Sequence, residues 1–155
     1  LQKQLEEVQK IKVDGDRKSE ELIRYMQNYR NTLLSILDEL PHKIFLKDNE
    51  GKMVLVNTAV AKAHNMSVDE LIGKSDFDFV DAETAQQWRN QELEIIRKGS
   101  ETYIFNEALS GETKTLKSTK MAFYIPHLDQ TGLLGIQTDI TEIQRLKQQA
   151  ELSKS

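Results

Sequence analysis

The sequence predicts an α+β domain with five antiparallel strands, flanked by coiled-coil-type helices at both ends. Two short apolar runs around a tight turn near residue 50 predict a hairpin, and three alternating runs over residues 101–139 predict an antiparallel meander. Heptad spacing marks both ends of the chain. We therefore divide it into a helical segment at 1–40, a folded domain at 41–141 and the start of a second helix at 142–155.

Composition narrows the classes of function. The 155 residues suffice for one domain, and the net charge of −4 gives no electrostatic reason to expect a nucleic-acid partner or an anionic membrane. The lack of cysteine excludes disulfides, thiolate nucleophiles and cysteine-ligated metals. No apolar run approaches the length of a membrane span. The lack of cysteine and of an apolar span leads us to expect a cytoplasmic location. Because the chain begins at Leu1 rather than methionine, we expect a fragment of a longer protein, and that parent protein is free to carry a membrane anchor.

Residues 1–40 carry a heptad seam whose dependable part is Leu22, Met26, Tyr29, Leu33 and Ile36. The residues Asp14-Gly15-Asp16 weaken its middle, so either the helix frays there or two helices meet. The stripe could pack on the chain's own domain or form a parallel coiled coil in a homodimer. We favour the homodimer, because five seam residues precede any predicted strand. Pro41 ends the helix.

The next segment predicts a hairpin and two short helices. Strands at 43–48 and 52–57 surround the turn Asn49-Glu50-Gly51. Asn57 is a predicted N-cap for a short helix over 58–64. Ser67 and Glu70 form a predicted capping box for a second helix, which stops at Gly73.

The acidic cluster Ser75-Asp-Phe-Asp-Phe79 invites a metal hypothesis, but its spacing lacks the glycine and distal glutamate of an EF-hand. We expect it to cap a helix, with both phenylalanine rings turned inward and no metal bound. A longer helix then runs from Val80-Asp81 to Lys98 and stops at Gly99. Its predicted apolar positions are Trp88, Leu93 and Ile96.

The meander consists of strands at 101–109, 113–125 and 132–139, with turns at 110–112 and 129–132. The last strand runs directly into a charged amphipathic segment. Thr141 and Gln144 predict a capping box at its start, and Ile143 and Leu146 continue at heptad spacing. A strand that continues without a loop into an interaction helix can transmit a signal, because any shift of the sheet must displace the helix.

Catalytic patterns are missing. The three histidines, His42, His64 and His127, lie far apart and match no metal-ligand spacing. The sequence has no glycine-rich phosphate loop and no nucleophile elbow. We predict that this chain is not itself an enzyme.

The order of these elements, with several linked motifs, resembles a PAS domain of the bacterial type found in sensor histidine kinases. The similarity covers residues 37–142 and rests on Leu40-Pro41, 45–51, Val56-Asn57, 70–74, 76–79 and 139–142. It implies the α+β PAS fold, a five-stranded antiparallel sheet of order 2-1-5-4-3 with helices over one face. It also implies sensing in the cavity between sheet and helices, relayed to coiled coils through Asp139, Ile140 and Thr141.

The resemblance also suggests candidate cavity residues. Gln137 falls where flavin-binding, light-sensing relatives place a glutamine on the cofactor, and it is expected to share an inward face with Leu116 and Ser118. Phe45, Trp88 and Phe105 are the expected further walls. The reactive cysteine of those flavin-binding relatives has no counterpart in this chain. Residues 81–98 also lack the histidine that haem-binding relatives carry on the long helix. We therefore expect no adduct-forming flavin, no haem and no covalently bound cofactor, and the identity of any ligand stays open.

Two hypotheses follow. The first is a sensory module of a signal-transduction histidine kinase in a two-component system, which binds a small molecule and relays its state to a downstream kinase domain. The second is an unliganded PAS module that dimerises or spaces its neighbours. A cyclic-dinucleotide enzyme or a chemoreceptor could also follow the exit helix.

Overall fold

The structure is a computed structural model that describes residues 2–109 and 111–154. Leu1, Ser110 and Ser155, which belong to the predicted seam, turn and exit helix, lie outside the described residues. The helices are α1 (Gln2–Glu39), α2 (Thr58–Ala63), α3 (Val68–Leu71), α4 (Ala82–Lys98) and α5 (Thr141–Lys154). The strands are β1 (His42–Lys47), β2 (Met53–Val56), β3 (Ser100–Leu109), β4 (Glu112–Ile125) and β5 (Gln130–Asp139), and short 3-10 turns occupy Asp76–Asp78 and Pro126–Leu128.

Helix α1 is a single helix and forms a compact unit of its own. The expected fraying or break at Gly15 was wrong. One internal glycine costs a helix about 1 kcal/mol, which the helix-forming residues around it tolerate. No residue of α1 is buried, and the five seam residues are between 46% and 60% exposed. The helix therefore presents an uncovered apolar stripe.

The five strands form one antiparallel sheet of order β2-β1-β5-β4-β3, as the resemblance predicted. Strand β1 pairs with both β2 and β5, so the hairpin and the meander become one sheet. Gln137 lies opposite Lys43 on one side and Ser118 on the other. Phe45 lies opposite Val56 and Gly135. These pairs set the rows of side chains on the inner face of the sheet.

Asn57 attaches α2 to the sheet and confirms the predicted N-cap. Its Oδ1 accepts hydrogen bonds from the backbone N–H of Val60 (3.3 Å) and of Ile44 (3.2 Å), while its Nδ2 donates to the carbonyl of His42 (2.6 Å). Its side chain is almost completely buried, so these bonds satisfy the amide away from water. Beneath α2 and α3 lies a core cluster of Met53, Val56, Val60, Ala61 and Leu71.

Helix α4 begins and ends where the sequence predicted, but its buried face differs in part from the prediction. Asp81 caps it through the N–H of Thr84, and Gly99 ends it with a φ of 111°. Its buried residues are Ala85, Glu92 and Ile95, whereas Trp88 and Leu93 are 42% and 45% exposed. Leu93 was wrongly predicted to lie on the apolar face, because the face that meets the sheet instead carries the buried carboxylate of Glu92, one turn after Trp88.

The acidic cluster before α4 also differs from the prediction. Asp76–Asp78 form a 3-10 turn in which Oδ2 of Asp78 accepts a hydrogen bond from the N–H of Ser75 (2.9 Å). This tight turn leaves the rings of Phe77 and Phe79 exposed, so the prediction that both point inward was wrong. The ring of Phe79 instead lies 5.2 Å from that of His64.

In the described ranges 2–109 and 111–154, no helix combines the length and the apolar character needed to cross a membrane. The same residues contain no group of three or more histidine, cysteine, aspartate or glutamate side chains placed to hold a metal ion.

Candidate ligand cavity and signal junction

A cavity of about 450 Å³ lies against the inner face of the sheet. Side chains from β1, α2, the Asp76 turn, α4 and the meander contribute to its wall. Its volume falls within the range of about 300–1,000 Å³ that small-molecule sites occupy. The wall comprises Lys43, Phe45, Lys47, Met53, Val60, Ala63, His64, Asp76, Trp88, Gln91, Glu92, Tyr103, Lys120 and Gln137.

The floor of the cavity depends on Gly135. A Cβ atom at this position would lie only 2.2 Å from Cζ of Phe45, so the ring of Phe45 lies across β5 where a side chain is missing. Because side chains alternate along a strand, Lys43 and Lys47 share the cavity face with Phe45. The first strand therefore presents an aromatic ring between two ammonium groups.

Lys47 forms a buried ion cluster with α4 and the Asp76 turn. Its Nζ lies 2.6 Å from Oε1 of Glu92 and 3.2 Å from Oδ2 of Asp76, and it also lies 5.4 Å from the centre of the Phe45 ring. Lys47 and Glu92 are each only 4% exposed. Such charges are stable in the interior only when they are paired, so the cluster fixes α4 against β1. The second carboxylate oxygen of Glu92 is buried without a hydrogen-bond partner among the described residues.

Two further lysines line the same cavity. Lys43 and Lys120 are half-buried, and neither ammonium group takes part in an ion pair or hydrogen bond within the described part of the chain. Nζ of Lys120 lies 6.0 Å from the centre of the Tyr103 ring. Gln137 lies next to Lys43 in the sheet and adds an amide to this polar region.

The structure brings three of the six predicted cavity residues to this wall: Phe45, Trp88 and Gln137. Tyr103 takes the place expected for Phe105, because the β3–β4 register puts Tyr103 opposite Ser118, in the row of Gln137, and Phe105 one pleat further along. Phe105 is half-buried beside Tyr103, at a ring distance of 5.7 Å.

Leu116 and Ser118 point to the inner face and are buried, but they are not part of the 450 Å³ cavity wall. Leu116 instead lines a second cavity of about 190 Å³. Asp139 also lines this second cavity, as do Lys43 and Gln137. The side chains of Lys43 and Gln137 thus belong to both cavities and connect the larger one with the end of β5.

The junction between β5 and α5 is held by side-chain hydrogen bonds. Oδ1 of Asp139 accepts from the backbone N–H of Thr141 (2.9 Å) and from its hydroxyl (2.6 Å). Oγ1 of Thr141 accepts from the N–H of Thr115 (2.9 Å), and the N–H of Ile140 donates to the carbonyl of Thr115 (2.9 Å). The start of α5 is therefore attached to both β4 and β5.

This arrangement corrects one prediction and perturbs one carboxylate. The expected capping box of Thr141 and Gln144 does not form, because the Thr141 hydroxyl is engaged by Asp139 and Thr115. The hydrogen bonds from Thr141, first its hydroxyl and then its N–H, and the nearby charge of Lys114 hold the pKa of Asp139 below its ordinary value of 3.8. Asp139 is thus a charged cap at neutral pH.

Sequence reasoning missed the charged residues of the cavity. Glu92 and Lys47 are separated by 45 positions, so spacing gives no sign that they meet. A signal was present in β1, where the period of two that places Phe45 inward also places Lys43 and Lys47 inward. The same is true of Glu92, which lies one turn after Trp88 on α4.

The fold and cavity define a PAS-type sensory domain. A family model described as the PAS fold matches residues 37–145, and the chain belongs to this family. The chain is similar to a methanogenesis regulatory histidine kinase, FilI, of Methanothrix harundinacea, with 25% identity over 133 residues. That match covers 79% of this chain but only 15% of the kinase.

Solved structures share the fold at low sequence identity. The PAS domain of Bordetella pertussis BvgS has a TM-score of 0.55 and 19% identity, covering 83% of this chain and 97% of that one. A PAS domain of an HTR-like protein from Haloarcula marismortui has a TM-score of 0.52 and 18% identity over 78% and 99% of the two chains. The phage VqmA–DPO complex has a TM-score of 0.59 and 17% identity over 85% and 62%.

Proposed function

We propose that this chain is the sensory module of a signal-transduction histidine kinase, which binds a small molecule in the 450 Å³ cavity and transmits occupancy to α5. The main supporting observation is that Lys43 and Gln137 line both this cavity and the one beside Asp139. Gln137 lies two residues before Asp139 on β5, and Lys43 lies opposite Gln137 on β1. A ligand that displaces either side chain therefore acts close to the junction. The similarity to FilI supports a kinase as the output.

The relay requires two states with different affinities for the ligand, since a ligand that binds both equally shifts nothing. The hinge in this proposal is Asp139, Ile140 and Thr141, because their hydrogen bonds fix how α5 leaves the sheet. The receiving element is the apolar side of α5, where Ile143 and Leu146 are 63% and 53% exposed. These residues suit a coiled-coil partner in a cytoplasmic homodimer.

The proposal for the homodimer rests on α1. Its seam of Leu22, Met26, Tyr29, Leu33 and Ile36 follows the alternating spacing of a coiled coil and is exposed in a single chain. Two copies would cover each other's stripes. The expected assembly is parallel, because a parallel pair brings both α5 helices to the same end.

The sensing proposal is tested on freshly purified protein by native mass spectrometry and by a thermal-shift screen of small metabolites. Sensing predicts a bound molecule or a ligand-dependent rise of the melting temperature. A Gln137→Leu variant should change that response without altering the oligomeric mass, whereas Thr131→Val, on the same strand but outside the cavity wall, should behave like the native chain. If no compound stabilises the protein and no mass is carried along, the chain is an unliganded interaction module.

A further inference from the structure

The charge balance of the cavity indicates what kind of ligand it takes, and this inference rests on the proposed sensing function. The wall carries three lysines, Lys43, Lys47 and Lys120, and two carboxylates, Asp76 and Glu92. Both carboxylates are already engaged by Lys47. The wall therefore has one positive charge in excess, and Lys43 and Lys120 have no anionic partner among the described residues.

The unpaired charges lie on the same face of the sheet. Lys43 and Gln137 are direct neighbours across β1 and β5, and Lys120 is opposite Gly135, two residues before Gln137. Glu101 lies opposite Lys120 in the β3–β4 register, but the contact recorded for the Lys120 ammonium is with the Tyr103 ring. Half-buried ammonium groups lose part of their hydration, so an anion that replaces it binds with charge-assisted hydrogen bonds.

Most of the remaining wall is apolar or aromatic, and His64 and Gln91 are its further polar residues. Phe45, Met53, Val60, Trp88 and Tyr103 surround the same space, and aromatic side chains pack well against flat rings. This group of apolar side chains favours a ligand with an apolar body, because burying such a body removes apolar surface from water. Lysine, unlike arginine, contributes a point charge and no planar fork, so the two lysines attract an anionic head group through charge rather than through bidentate geometry.

We propose that the cavity binds a small organic monoanion, a carboxylate with an apolar or aromatic body. Lys43 and Lys120 hold the carboxylate beside the amide of Gln137, and the body lies against Phe45, Met53 and Trp88. The anion neutralises the excess charge of the wall. Because Lys43 and Gln137 also line the cavity beside Asp139, the carboxylate contacts the side chains nearest to the signal junction.

The test compares two arylacetates, phenylacetate and indole-3-acetate, with the matched neutral amides, phenylacetamide and indole-3-acetamide, by isothermal titration calorimetry. The expected result is that the carboxylate binds at least about tenfold more tightly than its amide, as a charge-assisted hydrogen bond provides. Lys43→Met and Lys120→Met should each weaken the carboxylate by about 10- to 100-fold and leave the amide unchanged. Circular dichroism and the melting temperature verify that each variant folds.

Lys117→Met is the matched control. Lys117 lies on β4 three residues before Lys120, is exposed and faces away from the cavity. Its replacement by methionine changes the net charge by the same amount as Lys120→Met but leaves the cavity wall intact. It should leave both affinities unchanged. Equal losses in Lys117→Met and Lys120→Met would overturn the site, since the effect would then come from overall charge.

Two further outcomes separate this inference from the sensing proposal. If the amides bind as tightly as the carboxylates or more tightly, the cavity is a ligand site but the anion preference is wrong. If neither these probes nor any compound of the metabolite screen binds, both the anion preference and the sensing function are wrong.

Discussion

Removal of the Lys47 ammonium is expected to destabilise the sheet-and-helix unit more than any change of a surface charge. Nζ of Lys47 is 2.6 Å from Glu92 and 3.2 Å from Asp76, and Glu92 is only 4% exposed. Lys47→Met leaves the Glu92 carboxylate buried without its counter-charge, which costs about 3–5 kcal/mol in comparable pairs. At about 4 °C per kcal/mol, the melting temperature should fall by roughly 12–20 °C.

The assay is urea and thermal unfolding followed by circular dichroism. Lys52→Met is the control, because its pair with Glu50, at 3.2 Å, is exposed and should contribute at most about 1 kcal/mol. The double variant Lys47→Met/Glu92→Leu should recover much of the loss, since two apolar side chains replace the pair. A loss below about 1 kcal/mol in Lys47→Met would refute the argument, because the pair would then behave as a solvated one.

Three further predictions concern the cavity floor, the junction and the seam. Gly135→Ala should lower unfolding stability by about 1–3 kcal/mol, because its Cβ would displace the Phe45 ring, and an unchanged urea midpoint would contradict the close approach. Since the pKa of Asp139 is lowered from 3.8, its cap is complete above pH 3.8 and is lost as pH falls through the lowered value. The protection of the α5 amides, measured relative to their intrinsic exchange rates at each pH, should fall over that acidic range in the native chain but not in Asp139→Asn. Met26→Glu/Leu33→Glu should halve the mass by light scattering, whereas the off-seam Asn31→Glu should not; a native monomer would refute the dimer.

Most of the fold follows from local patterns. Residue type alone predicts three of its features: the hairpin around Gly51, the N-cap at Asn57 and the helix stop at Gly99. Each depends on a backbone conformation or a short-range hydrogen bond that glycine or asparagine favours. The order of the strands came from the resemblance to PAS domains. Local patterns alone leave the pairing of β1 with β5 open, because these strands are far apart in the chain.

The candidate cavity was only partly predictable. Gln137 and Phe45 were expected from strand alternation and the family resemblance, and both line the cavity. Tyr103 and Phe105 lie on the same face of β3, so alternation alone cannot tell which of them lines the cavity. Only the β3–β4 register, which puts Tyr103 opposite Ser118, decides between them. Helical periodicity places Glu92 one turn after Trp88 on the cavity face, but its charge argues against burial, and only its tertiary partner Lys47 explains that burial.

The central claim is that occupancy of the cavity alters α5 through the Asp139 junction. Hydrogen–deuterium exchange of the α5 amides, measured with and without saturating indole-3-acetate, tests it most directly. We predict a ligand-dependent change of exchange across residues 142–152 in the native chain and none in Asp139→Ala, although both bind the ligand. Ligand binding that leaves α5 exchange unchanged in the native chain, or that changes it equally in Asp139→Ala, would contradict the relay.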